Sequence, residues 1–104
     1  MFDCRAIHNP GRYEEYKQMT GRDQEVIDFL EKTNEASEFV KNAINIVSPS
    51  IERYLKRGFT SLVVGFGCTG GQHRSVYCAE KFGYSISRKF PEIKVIIRHR
   101  EQKF

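Results

Sequence analysis

The feature that most constrains the fold is a junction between an apolar run and a glycine-rich polar segment. Residues 60–66 read TSLVVGF, and residues 67–75 read GCTGGQHRS. A β-branched run bounded by glycines is typical of a strand buried on both faces in a parallel sheet. Apolar residues then recur at helical spacing until Pro91. The junction therefore predicts a strand, a glycine loop and a helix of about residues 73–90.

Two more strands are expected near the ends of the chain. Residues 2–7 (FDCRAI) alternate between apolar and polar side chains, which is the period of a strand. Residues 93–98 (IKVIIR) predict a third strand. The order of strands and helices predicts an α/β domain, a single layered domain with a small, mainly parallel sheet flanked by helices.

Two helices are expected between the first two strands. The first spans about residues 22–32, after a capping-box-like Thr20 and Asp23. The second follows Asn34, carries an apolar stripe at i, i+3 and i+4, and ends at Gly58. Because Pro49 interrupts this stripe and cannot donate a helix hydrogen bond, we expect a kink there, or a restart capped by Ser48.

Composition narrows the class of protein. The chain has 104 residues, a net charge of +4 and three cysteines, an odd count at spacings that suggest neither a disulfide framework nor a zinc site. It has no apolar run long enough to span a membrane and no signal-peptide core. We therefore expect a cytoplasmic protein with reduced thiols, no bound metal, no cofactor and no membrane contact.

The glycine loop has the chemistry of an anion site. Glycines let the backbone approach a ligand closely, and the N–H groups and dipole at a helix N-terminus favour negative charge. Arg74 adds a guanidinium suited to phosphate, and Thr69, Gln72 and Ser75 add donors. The alternative is a tight turn whose glycines serve only to reverse the chain.

Topology brings other segments to the same place. Ligands of parallel sheets bind beyond the carboxyl ends of the strands. Three segments would converge there: His8 and Asn9, the loop from Cys68 to Ser75, and the basic residues Arg98, His99 and Arg100. Arg98, His99 and Arg100 are candidates for contact with an anion or with RNA phosphates, the alternative being a solvated basic tail.

An enzymatic interpretation also fits the loop. Cys68 to Ser75 matches C-x-x-G-x-x-R-S, which resembles the phosphate loop of cysteine-dependent phosphatases. Cys68 would be the nucleophile and Arg74 the clamp on phosphate oxygens. Gly67 stands where those enzymes usually carry histidine, and only Asp3 and Asp23 are candidates for a general acid. Cys68 as a small packing residue under a turn is the alternative.

Longer blocks resemble one family along the whole chain. The blocks are GCTGGQHRSVY, the later VIIRHRE, and the opening FDCRAIHNPGRYEEYKQMTGRDQEVIDFL. They are similar to the carboxy-terminal domain of the RapZ family of bacterial RNase adapter proteins. That resemblance implies a phosphofructokinase-like fold, self-association into a homo-oligomer, binding of a small regulatory RNA and sensing of glucosamine 6-phosphate.

The resemblance also implies a ligand set and partners. By position, the resemblance implies phosphosugar contacts from Asp3, Asn9, Thr69, Gly70, Gly71, His73, Arg74 and Ser75. The chemistry of the loop itself adds Cys68 and Gln72 as candidate ligand-binding residues. Family members carry an ATP-binding P-loop domain, but no G-x-x-x-x-G-K-[ST] occurs here, so that half would lie on a separate chain. The first hypothesis is a non-catalytic sensor of a phosphorylated small molecule, coupled to RNA or an RNase. A phosphatase and a purely charge-driven RNA binder are the alternatives.

Overall fold

Three α-helices pack around a two-stranded parallel sheet in the computed structural model, which describes residues 1–102. The elements are β1 (Phe2–Asp3), α1 (Gln24–Glu31), α2 (Glu35–Arg57), β2 (Phe66–Gly67) and α3 (Arg74–Lys89). Two 3₁₀ turns, Pro10–Arg12 and Glu14–Tyr16, lie between β1 and α1. This arrangement confirms the predicted α/β fold class.

The sheet is shorter than the sequence pattern suggests. Phe2 pairs with Phe66 and Asp3 with Gly67, and the flanking N–H groups of Phe2 and Cys4 donate to Gly65 and Gly67 at 2.7 Å each. The predicted strands 2–7 and 60–66 are therefore wrong over most of their length. The prediction of a third strand over residues 93–98 is wrong, since they form no strand and join no sheet within the described chain.

Burial explains why the apolar run forms so little sheet. Val63 is 87% exposed, so the prediction of a strand buried on both faces is wrong. Residues 60–64 and 93–98 run beside α2 and α3 and bound an apolar cavity of about 460 Å³. Apolar β-branched residues favour extended backbone locally, but pairing needs a neighbouring strand at the correct distance.

The long helix α2 runs without a break through Pro49. The predicted restart is therefore wrong, and Ser48 is not an N-cap. Its hydroxyl donates to the carbonyl of Ile44 at 2.7 Å and accepts from Lys89 Nζ at 2.9 Å. Gly58 ends the helix in the left-handed conformation, with φ at 72°.

The core lies between the sheet and the three helices. Its buried side chains come from the three helices, from the loop after β1 and from the end of α3: Cys4, Ile7, Val26, Leu30, Ala36, Val40, Ala43, Val47, Ile51, Tyr77, Cys78, Phe82, Ile86 and Phe90. Within residues 1–102, no helix combines the length and the apolar character needed to cross a membrane.

The polar segment before α1 is held against the start of α3. The N–H of Gly21 donates to the carbonyl of Gln72 at 2.9 Å. A Cβ atom at Gly21 would lie 2.3 Å from the carbonyl oxygen of His73 and 2.4 Å from the amide nitrogen of Tyr77. Only glycine allows these two backbones to approach so closely.

Gly21→Ala is therefore expected to lower the free energy of unfolding by at least about 2–3 kcal/mol, because the added methyl overlaps backbone atoms that cannot rotate away. Urea unfolding followed by circular dichroism measures the change. Gly70→Ala is the matched control, since a Cβ there meets open space and should leave stability nearly unchanged. Equal midpoints for the two variants would contradict the close approach.

Candidate anion-binding site

A cavity of about 360 Å³ opens at the N-terminus of α3. It lies between the glycine loop and the segment that follows β1. Its lining consists of polar, basic and glycine residues: Asn9, Gly11, Lys17, Cys68, Thr69, Gly70, Gln72, His73 and Arg74. The loop and Asn9 are thus brought together as the sequence predicted.

Arg74 is buried beneath this cavity, with 4% of the residue exposed. One terminal nitrogen of its guanidinium donates to the carbonyls of Arg5 and Ile7, both at 2.9 Å, and the other donates to Thr69 Oγ1 at 3.4 Å. Its Nε is buried without a hydrogen-bond partner among the described residues. Arg74 therefore fastens the chain after β1 to the loop and leaves a positive charge under the cavity.

Two loop side chains hold the opposite wall in place. Gln72 Nε2 donates to the carbonyls of Lys17 and Met19 at 2.6 and 2.7 Å. His73 Nε2 lies 2.8 Å from the carbonyl oxygen of Tyr16. Because a carbonyl only accepts, Nε2 carries a hydrogen, and Nδ1 lies on the side of Gly11.

Lys17 belongs to the cavity but was missed from the sequence, and Gly11 also lines the cavity. Residues 11–21 have no regular hydrophobic period, so nothing in the pattern places them at the loop. The anchors from Gln72 and His73 bring Lys17 to the cavity, where it also pairs with Glu14 at 3.0 Å. Gly11 leaves room for the imidazole of His73, which a Cβ would approach to 3.3 Å.

Cys68 lies half-buried at the floor of the cavity, with its sulfur 3.2 Å from Ser75 Oγ. Burial acts to raise the pKa of the Cys68 thiol. The hydroxyl of Ser75 and the backbone N–H groups of Ser75, Gly71 and Gln72 oppose burial by hydrogen bonding to the sulfur, and the net effect lowers the pKa below its usual value. The loop therefore stabilises negative charge at this point.

The start of α3 contributes its backbone to the same place. His73 occupies the N-cap position but its side chain caps no N–H of the first turn. Gly71 bends the loop in the left-handed conformation, with φ at 63°. Among the described residues, the cavity lining contains a lysine and an arginine and no carboxylate. The arrangement suits a small anion such as a phosphate group.

Other predicted site residues lie elsewhere. Asp3 is exposed and bound by Arg5, whose side chain and backbone N–H donate to the carboxylate and lower the pKa of Asp3 to about 2. Ser75 is buried behind Cys68, and Gly71 packs beside Glu101, so neither lines the cavity.

The basic residues near the C-terminus do not join the cavity lining. Arg98 borders the apolar cavity, and Arg100 is exposed. His99 binds Glu80, with 2.8 Å between Nε2 and the carboxylate. His8 contacts the hydroxyl of Tyr13 at 2.9 Å. Of the three segments expected to converge, only Asn9 and the loop line one site.

Comparison with known proteins identifies the family. A family model described as the RapZ C-terminal domain matches residues 1–103. The chain belongs to the RapZ C-terminal domain family. The match confirms the resemblance found in the sequence and covers both the loop and the segments around it.

Full-length relatives are considerably longer. Proteins named nucleotide-binding protein from Fervidobacterium nodosum and Acetivibrio thermocellus are 40% and 41% identical to this chain, over 101 and 102 residues. The protein azo0399 of an Azoarcus species, with the same description, is 41% identical over 101 residues. The alignments cover 96–97% of this chain but 33–35% of the relatives. The chain therefore spans about a third of their length.

Arg74→Met is expected to lower the free energy of unfolding by about 2–4 kcal/mol, because it leaves the carbonyls of Arg5 and Ile7 without their donor. Urea denaturation measures this loss. Arg53→Met, an exposed position on α2, is the control and should change stability by less than about 0.5 kcal/mol. A loss at position 74 no larger than that of the control would show that the buried guanidinium contributes nothing to the fold.

Proposed function

We propose that this domain binds a phosphorylated small molecule, a glucosamine 6-phosphate-like ester, without transforming it. The observation that carries the proposal is the cavity at the N-terminus of α3, where Lys17 and the buried guanidinium of Arg74 bring positive charge to the start of the helix. A phosphate placed there would contact the first-turn N–H groups, the hydroxyl of Thr69 and the ammonium of Lys17. These are the donors that favour a phosphate group in proteins.

The size of the cavity fits a ligand of this class. A volume of about 360 Å³ is that of a small-molecule site rather than of a single ion. Beyond the phosphate position, the side-chain amide of Asn9 and Nδ1 of His73 offer hydrogen-bonding groups for hydroxyl or amino substituents. Asn9 Oδ1 already accepts from the N–H of Gly11 at 2.9 Å, which fixes the orientation of its amide.

Binding is tested by phosphorus NMR and titration calorimetry with glucosamine 6-phosphate. We expect the ester signal to shift or broaden on addition of the protein, and glucosamine, which lacks the phosphate, to bind far more weakly. Lys17→Gln should weaken affinity roughly tenfold, the loss of one charge-assisted hydrogen bond. Lys41→Gln, an exposed lysine on α2 outside the cavity, is the matched control.

Two results would overturn the proposal. One is an ester spectrum that the protein leaves unperturbed. The other is equal affinity for the ester in the Lys17 and Lys41 variants. Arg74 is not used in this test because its loss disturbs the fold as well as the charge.

A cysteine phosphatase is the second candidate, and the contact between Cys68 and Ser75 favours it. A serine at 3.2 Å and three backbone N–H groups surround the sulfur, as a thiolate nucleophile requires. Within residues 1–102, no carboxylate lines the cavity to serve as general acid, and Asp23 instead accepts from the N–H of Thr20. Inorganic phosphate accumulating in the same NMR experiment, and lost in Cys68→Ser, would establish this activity in place of sensing.

We further propose that the domain binds an RNA, and that ligand binding at the loop changes this interaction. The segment that carries Arg98 and Arg100 is attached to the loop, since Gln102 Nε2 donates to the carbonyl of Gly71 at 3.4 Å and Glu101 packs against the same glycine. Occupation of the cavity can therefore alter the position of two exposed arginines. Exposed arginines bind RNA chiefly through phosphates, which makes affinity depend on salt.

A labelled hairpin RNA followed by fluorescence anisotropy tests this readout. We expect affinity to fall steeply with salt, and the double change Arg98→Ala and Arg100→Ala to reduce the log–log slope by about one to two units. The control is the double change Lys41→Gln and Lys56→Gln on α2. A salt-independent affinity, or equal slopes for both double variants, would contradict RNA binding by this segment. If the domain binds no RNA but retains an RNase, the readout belongs to a protein partner.

A further inference from the structure

The cysteines gather beneath the loop although they are far apart in the sequence. Cys4 follows β1 and is tied to β2, since its N–H donates to the carbonyl of Gly67 at 2.7 Å. The parallel register pairs Phe2 with Phe66 and Asp3 with Gly67, and we infer from its continuation by one residue, which the Cys4 N–H bond supports, that Cys4 lies opposite Cys68. Neighbouring strands are about 4.8 Å apart, within the Cα separations that a disulfide spans.

The third thiol lies against the first. Cys4 and Cys78 are both 0% exposed and belong to one buried cluster. The neighbouring Cys4 thiol, together with burial, holds the pKa of Cys78 well above its usual range. Within residues 1–102, no group of three or more histidine, cysteine, aspartate or glutamate side chains could hold a metal ion. The cluster is therefore a set of free thiols, two buried and one reaching the cavity.

Cys68 differs from the other two in the chemistry open to it. Its sulfur lines the cavity, and the Ser75 hydroxyl and loop N–H groups surround it. These donors stabilise the thiolate, which is the form that attacks an electrophile. A solvent-accessible, stabilised thiolate beside a second thiol is the arrangement of an oxidation-sensitive cysteine.

We propose that Cys68 is a site of oxidation by hydrogen peroxide and that Cys4 converts the product to an internal disulfide. In the first step, the thiolate of Cys68 attacks one peroxide oxygen. The S–O bond forms, the O–O bond breaks, and the departing hydroxide takes up a proton to leave as water. The sulfur is oxidised by two electrons to sulfenic acid, and the peroxide is reduced.

In the second step, the sulfur of Cys4 attacks the sulfenic sulfur of Cys68. The S–S bond forms and the S–O bond breaks. The hydroxide released combines with the proton from the Cys4 thiol to leave as water. The bridge joins the chain after β1 to the start of the loop, so the sulfur of Cys68 moves away from the N–H groups that it faces in the reduced protein.

Mass spectrometry of the peroxide-treated chain, digested without reduction, tests both steps. In the wild type we expect a peptide pair joined through Cys4 and Cys68. In Cys4→Ala we expect sulfenic acid at Cys68, trapped by dimedone at least about tenfold faster than any product at Cys78. Cys78→Ala is the matched control and should still form the bridge. Circular dichroism checks that each variant is folded.

Three outcomes would overturn the proposal. In the first, the three cysteines are oxidised at equal rates in the folded protein. In the second, the bridge joins Cys4 to Cys78 while Cys68 remains a thiol. In the third, sulfenic acid accumulates at Cys68 in the wild type and no bridge forms.

The consequence for the ligand rests on the proposed function. Since the bridge changes the cavity floor, affinity for glucosamine 6-phosphate should fall on oxidation and return after dithiothreitol. Mass spectrometry and calorimetry separate the two ideas. If the ester binds neither the reduced nor the oxidised protein, the proposed function fails. Mass spectrometry of the digested chain still tests whether the bridge forms. If the ester binds the reduced form and no bridge appears, the oxidation proposal fails alone.

Discussion

The buried guanidinium of Arg74 is the contact on which the site depends. A charged group loses hydration when it is buried, and it is tolerated only where hydrogen bonds replace the water. Here the carbonyls of Arg5 and Ile7 and the hydroxyl of Thr69 replace part of it. The chain after β1, the loop and the first turn of α3 are consequently held as one unit, with a positive charge at its centre.

The segment between β1 and α1 depends on this unit in turn. It has no helical or strand period of its own, yet Gln72 and His73 donate to its backbone carbonyls, and Gly21 lies directly against the start of α3. Gln72 and His73, which the sequence suggests as ligand contacts, therefore also hold the segment before α1 in place. Their anchoring is what brings Lys17 to the cavity.

Predictions from the sequence were most accurate where the determinants are local. The apolar stripe and terminal glycine of α2 predicted a helix that ends at Gly58, because helix hydrogen bonds join residues four apart. Sheet predictions were poorer, since 60–66 and 93–98 favour extended backbone but only Phe66–Gly67 is paired. The break expected at Pro49 does not occur, because packing along the rest of α2 outweighs one missing hydrogen bond.

The sequence by itself determined the family, the α/β class and the position of the glycine loop, because glycines, donors and a helix start are contiguous in residues 67–75. The tertiary structure decided how those residues are used. The two carbonyl acceptors of Arg74 precede it by 69 and 67 positions, and Cys4 is tied to Gly67, beside Cys68, only through the pairing of the strands. Contacts between distant segments depend on the packing of the whole chain, which the order of residues in one loop does not contain.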